Sequence, residues 1–256
     1  MNEYRKTAIV TGAAKGIGST IAYEMGVAGY DVIVNYHNDK TEADKLCKRI
    51  SELGVRAIPI YADISKVNDI HMLVDRSIQA FEHIDVLINN AGISSEVYFI
   101  DATEAMFDSM ISVDWKGLFF CSQFVAKHMI EKKINGVIIN ISSNQVNGCW
   151  PRATIYGPAK AAVEKFTKNA AMELSLSGIR MVAVAPGYTD VGWEPDDIRM
   201  KAAEKLPLKR FASTKEIAKG VVYLASEDAN YIVGSTLTID GGATLPVVAA
   251  NDFVKD

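Results

Sequence analysis

Short apolar runs alternate with segments of helical periodicity over the first third of the chain. The apolar runs predict buried strands, because brief runs bounded by turn residues are typical of them. The segments between them repeat apolar positions three or four residues apart, which predicts amphipathic helices. The predicted strands are Thr7–Val10, Asp31–Tyr36, Ala57–Ala62 and Asp85–Ile88, and the predicted helices lie between Gly18 and Gly29, over Lys40–Leu53 and over Lys66–Phe81.

The alternation continues to the end of the chain. A long helical region is predicted at about Thr103 to Glu131, then strand Gly136–Ile141, helix Tyr156–Ser175, strand Met181–Ala185, helix Thr214–Ala225 with Thr214 as its cap, and strand Thr236–Ile239. Strict alternation of strands and helices implies a parallel sheet covered by helices on both faces. No linker or internal repeat divides the chain. We therefore predict an α/β fold, a single doubly wound domain over residues 1–256 with seven parallel strands.

One polar segment with two prolines, between Tyr188 and Arg210, interrupts the regular pattern. Long irregular segments inside compact domains are often lids over a binding site. We therefore interpret residues 189–210 as a substrate lid, with a disordered excursion as the alternative.

A glycine-rich turn joins the first strand to the first helix. Glycines let the backbone turn tightly and approach a pyrophosphate, whose charge then meets the free N–H groups of the helix. The alternative is a plain connection between a strand and a helix. The turn reads Thr11-Gly12-Ala13-Ala14-Lys15-Gly16-Ile17-Gly18.

Tyr156 and Lys160 carry the strongest candidate chemistry. They are four residues apart, so on a helix both side chains lie on one face and the ammonium can stabilise an ionised phenol. Ser143 follows a predicted buried strand, and the carboxyl ends of such strands are where α/β proteins bind ligands. Because the Lys160 ammonium can stabilise its ionised form, Tyr156 is a candidate general acid or base. A chance pairing on a helix is the alternative for this motif taken alone.

The composition and charge of the chain exclude some classes of function. The 256 residues are 49% hydrophobic and carry a net charge of −4, with charges of both signs interspersed. That pattern makes binding to nucleic acid or to an anionic membrane unlikely, and no apolar window is long enough to span a bilayer. The three cysteines are widely spaced and lack histidine clusters, so we expect neither a disulfide nor a metal site. We expect a cytoplasmic protein.

Together these motifs closely resemble the short-chain dehydrogenase/reductase family of classical type. The resemblance covers nearly the whole chain and is nearest to glucose 1-dehydrogenase and 3-oxoacyl-[acyl-carrier-protein] reductase members. It rests on Thr11-Gly-x-x-x-Gly-x-Gly18, Asn89-Asn90-Ala91-Gly92, Ser143, Tyr156-x-x-x-Lys160 and Pro186-Gly187. It implies a Rossmann-type fold and an NAD(P)(H)-dependent oxidoreductase that moves hydride between nicotinamide and a carbonyl or secondary alcohol carbon.

The resemblance also implies the roles of individual residues. Tyr156 would be the general acid/base, Ser143 would hold the substrate oxygen, and Lys160 would favour the phenolate and bind the nicotinamide ribose. The cofactor would contact a further set: Gly12, Lys15, Gly16, Ile17, Gly18, Tyr36, Asp63, Ile64, Asn90, Ala91, Gly92, Pro186, Gly187 and Thr189. Relatives are commonly homotetramers, and the tail from Ala243 to Asp256 is expected to reach a neighbouring subunit.

Cofactor and substrate preferences follow from fewer residues. Tyr36 ends the second strand where NAD-preferring relatives carry an acid, and Lys15 can reach a 2′-phosphate, so NADP(H) is favoured and NAD(H) is possible. Trp150, Tyr188 and Trp193 fall on loops that border the family's substrate pocket, which suits a sugar or other polyol. A 3-oxoacyl-[acyl-carrier-protein] substrate is one alternative, and a non-catalytic nucleotide-binding module is another.

Two positions depart from the family's pattern. Asp114 stands where relatives carry a catalytic asparagine, which bears on the proton relay through Lys160. We expect Asp114 either to change the electrostatics of the site or to be tied to nearby backbone N–H groups. Pro158 lies between Tyr156 and Lys160, and proline fits only the first helical turn, so the helix is expected to begin later than Tyr156 or to bend.

Overall fold

The computed structural model describes residues 4–194 and 198–245. Strands alternate with helices along the chain. The strands are β1 (Thr7–Val10), β2 (Asp31–Tyr36), β3 (Ala57–Tyr61), β4 (Val86–Asn89), β5 (Val137–Ile141), β6 (Arg180–Pro186), β7 (Thr189–Asp190), β8 (Ala212–Ser213) and β9 (Thr236–Ile239). The helices are α1 (Gly16–Val27), α2 (Lys40–Ser51), α3 (Val67–Phe81), α4 (Glu104–Ile111), α5 (Leu118–Lys132), α6 (Tyr156–Ser175) and α7 (Thr214–Ala225).

Seven of the strands form one parallel sheet in the order β3-β2-β1-β4-β5-β6-β9. In the register of the central strands, Ile9 lies between Ile33 and Leu87. The order of the strands reverses beside β1, and in doubly wound sheets ligands bind in the crevice at the carboxyl end of that reversal. The predicted seven-stranded, doubly wound fold is therefore confirmed.

Alternate residues of each strand pack on opposite faces of the sheet, which explains why the central strands are apolar throughout. Val10 and Val34 point into one core cluster, which also contains residues of α1, α2 and α7. Ile9 and Ile33 point into the other, which contains residues of α3, α5 and α6. Burial on both faces removes the alternation of apolar and polar residues that a one-sided sheet would show.

The long helix predicted around residues 103–131 is interrupted. A π-helical turn over Ser112–Gly117 separates α4 from α5, and it buries Asp114 and Gly117. A side chain at Gly117 would collide with the carbonyl of Ile64, so the turn brings two backbones into contact. Turns of this kind are frequent at functional sites.

The helix α7 begins as predicted, but its cap is Ser213 and not Thr214. The Ser213 hydroxyl accepts a hydrogen bond from the N–H of Glu216, and the Glu216 carboxylate accepts one from the N–H of Ser213. This reciprocal arrangement satisfies two N–H groups that the first helical turn leaves without partners.

The segment predicted to be irregular contains regular structure. The short strands β7 and β8 pair in parallel at its two ends, and a 3₁₀ helix spans Ile198–Lys205. Residues 195–197 of the predicted lid and residues 246–256 of the predicted subunit contact lie outside the described residues.

Candidate active site

The helix α6 begins at Tyr156, so the expectation of a later start is wrong. Pro158 occupies the third helical position, in the first turn, where a missing N–H costs little. Tyr156 and Lys160 therefore lie one helical turn apart, as predicted, and the ammonium of Lys160 lies 5.5 Å from the centroid of the Tyr156 ring.

Asp114 pairs with the candidate catalytic lysine. Its Oδ1 lies 3.0 Å from Lys160 Nζ, and both side chains are almost completely buried. Lys160 also donates to the carbonyl of Ile141 at 3.1 Å. Burial alone would lower the pKa of Lys160, but the charges of Tyr156 and Asp114 and the hydrogen bond with Asp114 together raise it. The lysine is therefore held as an ammonium ion.

The second oxygen of Asp114 contacts the backbone. Oδ2 accepts a hydrogen bond of 3.1 Å from the N–H of Ile93, and a Cβ at neighbouring Gly92 would lie 2.7 Å from Oδ1. Asp114 is therefore tied to a backbone N–H, as one of the two alternatives expected, and it also places a carboxylate beside Lys160. Its effect on the electrostatics of catalysis stays a prediction. The π-helical turn carries Asp114 at its third position, and Asp114 is wholly buried.

Ser143 follows directly after Ser142 at the end of β5 and is buried, with its hydroxyl accepting from the N–H of Gln145 at 3.3 Å. Ser143, Tyr156 and Lys160 line one cavity of about 390 Å³. The same cavity is bordered by many of the other predicted residues, namely Ile17, Asn90, Gly92, Trp150, Pro186, Gly187, Tyr188, Thr189 and Trp193. The hydroxyl, phenol and ammonium expected from the sequence thus share one space.

Aromatic side chains form the outer wall of this cavity. The indole N–H of Trp150 donates to the hydroxyl of Tyr188 at 2.8 Å. Tyr188 stacks on Phe211, with ring centroids 5.3 Å apart, and Trp193 meets Phe211 edge to face. Phe211 was missed by the sequence reasoning, because it lies at the far end of an irregular segment and only the fold brings it beside Tyr188.

A second groove of about 480 Å³ adjoins the cavity along the carboxyl ends of β1, β2 and β4. The two share Ile17, Asn90 and Gly92. Of the remaining predicted cofactor residues, all but Gly16 line the groove, namely Gly12, Lys15, Gly18, Tyr36, Asp63, Ile64 and Ala91. An extended ligand could therefore run from the groove to Tyr156.

The glycine turn fits a pyrophosphate. Gly12 and Gly16 both have positive φ values, 62° and 59°, and a Cβ on Gly12 would lie 2.9 Å from the Ala91 backbone. Lys15, the residue that precedes α1, makes no side-chain cap, and the first turn contains no acid. The open N–H groups and the helix dipole favour an anion at this end of the helix.

Buried polar residues hold the turn in place. Asn35 Oδ1 accepts from the N–H of Gly12 at 3.0 Å, and the hydroxyl of Thr11 accepts from the N–H groups of Asn90 and Ala91 at 3.0 Å each. Asn90 in turn donates from its amide to the carbonyl of Thr11 at 2.9 Å. The sequence reasoning gave Asn35 no such role, although an amide in an otherwise apolar strand was a usable signal.

Charged residues lie where the groove passes the end of β2. The Asp63 carboxylate is 3.2 Å from Lys66 and 3.8 Å from His37. Burial alone would raise the pKa of Asp63, but hydrogen bonds from Ser65 and Lys66 outweigh it, and the pKa is lowered. Asp39 also lines the groove, which the sequence reasoning missed because it considered only the residues next to Tyr36.

The part of the chain that the structure describes contains neither a candidate metal site nor a candidate membrane-spanning helix. Within residues 4–194 and 198–245, no cluster of acidic, histidine or cysteine side chains could hold a metal ion. None of the described helices has both the length and the apolar composition needed to cross a bilayer.

Known proteins with similar sequences are dehydrogenases and reductases. The family described as "Enoyl-(Acyl carrier protein) reductase" matches residues 12–244. Glucose 1-dehydrogenase 2 of Bacillus subtilis is 35% identical over 252 residues, covering 94% of this chain and 95% of that protein. The 3-oxoacyl-[acyl-carrier-protein] reductase FabG of Staphylococcus epidermidis is 37% identical over 240 residues, covering 93% and 98%.

Solved structures agree with the sequence matches. Acetoin dehydrogenase YohF from Salmonella typhimurium has a TM-score of 0.89 and 36% identity, covering 98% of this chain and 100% of that chain. A Burkholderia cenocepacia short chain dehydrogenase in complex with NADP has a TM-score of 0.88 and 30% identity, covering 93% and 97%. The chain accordingly belongs to the short-chain dehydrogenase/reductase family and is an NAD(P)-dependent oxidoreductase acting on CH–OH groups and ketones.

Proposed function

We propose that Tyr156 is the general acid/base of this oxidoreductase, that Ser143 holds the substrate oxygen and that Lys160 stabilises the phenolate. The observation that carries the proposal is that all three line one cavity continuous with the glycine-lined groove. A bound nicotinamide cofactor supplies or accepts the hydride. A binding module without turnover would not need a buried ammonium beside a phenol.

In the direction of reduction, the substrate carbonyl oxygen accepts hydrogen bonds from the hydroxyls of Ser143 and Tyr156. As the carbonyl carbon gains the hydride, the oxygen takes the proton of Tyr156. The resulting phenolate lies near the Lys160 ammonium, which favours it electrostatically. In the direction of oxidation the same phenolate removes the hydroxyl proton from the alcohol.

The proposed substrate is a compact neutral hydroxyketone, sugar or other polyol. Among the described residues that line the cavity, Lys160 is the one with a charged side chain, and Asp114 already pairs with it. A substrate carboxylate or phosphate would therefore lack a counter-ion in the cavity. The aromatic wall formed by Trp150, Tyr188 and Trp193 suits the apolar faces of a polyol. A 3-oxoacyl chain is the second candidate, since FabG enzymes are among the relatives.

NADP(H) is the proposed cofactor, with NAD(H) as a weaker substitute. The exposed Lys15 lines the groove near the end of β2 and can meet a 2′-phosphate. Asp39 lines the same groove and opposes it, so the two residues offer matched tests. Lys15→Met should lower the ratio of kcat/KM with NADP(H) to that with NAD(H) roughly tenfold, as for the loss of about 1.4 kcal/mol, whereas Asp39→Asn should raise it.

We further propose a cytoplasmic homotetramer in which residues 1–256 form one domain and residues 189–210 act as the substrate lid. Large apolar side chains stand exposed, namely Phe107 on α4, Met172 on α6 and Leu176 directly after α6. Contiguous exposed apolar surface marks interaction sites. Light scattering coupled to size-exclusion chromatography measures the assembly directly, and a monomer would contradict this part of the proposal.

A turnover screen tests the proposed function. Purified protein would be offered hydroxyketones, sugars, polyols and β-ketoesters with each cofactor at several pH values. We expect turnover of a neutral hydroxyketone or polyol, with a higher kcat/KM for NADP(H). Turnover confined to long-chain β-ketoesters would favour the 3-oxoacyl alternative. Tight cofactor binding without turnover of any substrate would favour the non-catalytic module.

A further inference from the structure

Two negative groups can share a single buried cation in this active site. The ammonium of Lys160 lies 3.0 Å from Asp114 Oδ1, as an ion pair, and donates a hydrogen bond of 3.1 Å to the Ile141 carbonyl. Tyr156 lies on the same helix, with its ring centroid 5.5 Å from the ammonium. In the described part of the chain, Lys160 is the one cation within ion-pair distance of Asp114.

The other groups packed around the lysine add no positive charge. The last residue of β5 contributes the Ile141 carbonyl, and Ser142 and Ser143, which follow it, line the same cavity. Glu164, on α6, accepts from Ser142 at 3.0 Å and is itself an acid. With Tyr156 protonated, the Asp114–Lys160 pair is neutral. With Tyr156 ionised, the same three groups carry one net negative charge in a buried space, which a neutral residue at position 114 would avoid.

We propose that Asp114 is a positioning residue that keeps the proton on Tyr156 and so moves the acidic limb of the alcohol-oxidation rate to higher pH. The proposal rests on the proposed role of Tyr156. Reduction needs the phenol, which gives its proton to the carbonyl oxygen as the carbon gains a hydride. Oxidation needs the phenolate, whose formation the Asp114 charge opposes. Asp114 thus sets the pH window in which each direction runs.

The same carboxylate also fixes geometry. Its second oxygen accepts from the N–H of Ile93 at 3.1 Å, and Ile93 lines the substrate cavity. In Asp114→Asn an NH₂ group replaces one of the two oxygens, so with the side chain in its present orientation either Lys160 or the N–H of Ile93 would face a donor. A geometric effect would lower the rates of both directions at every pH, whereas the charge effect moves the pH profile. The profile therefore separates the two.

The test follows Tyr156 itself by NMR. The wild type and Asp114→Asn would be labelled with carbon-13 at the tyrosine Cζ, titrated with and without NADP(H), and the Tyr156 resonance assigned by its loss in Tyr156→Phe. We expect that resonance to change from phenol to phenolate at lower pH in Asp114→Asn, because the variant lacks the negative charge that opposes the phenolate. The acidic limb of the oxidation rate profile should move equally.

The control removes an equal charge from the surface. Asp108, exposed on α4, becomes asparagine and should leave the titration unchanged. If Asp114→Asn fails to fold, Asp114→Ser supplies the same neutral charge in a smaller side chain. An unmoved Tyr156 titration, or one moved to higher pH, overturns the proposal. Full activity in Tyr156→Phe would instead refute the proposed function, so the two failures are distinguishable.

Discussion

Two regions of the active site are built from different interactions. The catalytic floor, which comprises Asp114, Ser143, Tyr156 and Lys160, includes a buried ion pair and hydrogen bonds to the ends of two strands. The aromatic rim, which comprises Trp150, Tyr188, Trp193 and Phe211, is held mainly by ring contacts and by the Trp150–Tyr188 hydrogen bond. In the proposed mechanism, the floor fixes the atoms that exchange a proton. The rim supplies a surface that can change with little effect on the chemistry.

The difference predicts where each kind of mutation acts. Changes in the floor should lower kcat, because they remove interactions made in the transition state. Changes in the rim should alter KM, because in the proposed site the rim would contact the substrate away from the reacting carbon.

Tyr156→Phe should give the largest effect. The substitution removes the proton donor while leaving the ring and Lys160 in place, so kcat should fall about 10²- to 10⁴-fold. Cofactor affinity, measured by fluorescence titration, should stay nearly unchanged. A variant that kept more than about half of the wild-type rate would show that another group moves the proton.

Gly92→Ala should damage the floor without replacing any of its four side chains. The added methyl would lie 2.7 Å from Asp114 Oδ1 and 3.4 Å from Lys160 Nζ, so the ion pair must shift. Overpacking of this kind costs about 1–3 kcal/mol, and we expect kcat to fall roughly tenfold to a hundredfold. Gly157→Ala is the matched control, because its methyl meets nothing closer than 3.8 Å. Equal losses in both variants would mean that the Asp114–Lys160 geometry is not what matters.

Trp150→Phe should affect the rim alone. It keeps most of the aromatic surface but removes the hydrogen bond to Tyr188, which is 2.8 Å long. A net loss of about 0.5–1.5 kcal/mol corresponds to a KM raised roughly twofold to tenfold. Tyr188→Phe removes the other partner and should give a similar change. Steady-state kinetics would contradict this account if kcat fell more than KM rose.

Glu216→Gln should have the smallest effect, and the effect should be on the stability of the fold next to the rim residue Phe211. Its hydrogen bond with Arg210, together with those from Ser213, lowers the pKa of Glu216 from 4.5 to about 2. Because the folded-state pKa is depressed, this stabilisation is present above pH 4.5 and is lost as the pH falls towards 2. Since Glu216 is solvent-exposed, we expect a loss of about 0.5 kcal/mol at pH 7. Thermal unfolding curves of the two proteins should converge at low pH, and a gap that widened there would contradict the sign.

The sequence predicted the floor better than the rim, for physical reasons. Tyr156 and Lys160 are joined by helical spacing, and Ser143 ends a buried strand, so local pattern alone brings them to one edge of the sheet. Phe211 reaches Tyr188 only through the pairing of β7 with β8, which are too short to leave a pattern in the sequence. The π-helical turn that buries Asp114 was also hidden, because its apolar spacing is nearly that of an ordinary helix.

The most direct test of the division between floor and rim is single-turnover hydride transfer. Enzyme preloaded with NADPH would be mixed with saturating carbonyl substrate in a stopped-flow instrument, and the absorbance of the reduced nicotinamide would be followed for the wild type, Tyr156→Phe and Trp150→Phe. The account predicts that the transfer rate falls at least about 10²-fold in Tyr156→Phe and stays within about twofold of wild type in Trp150→Phe. Equal losses in the two variants would contradict it.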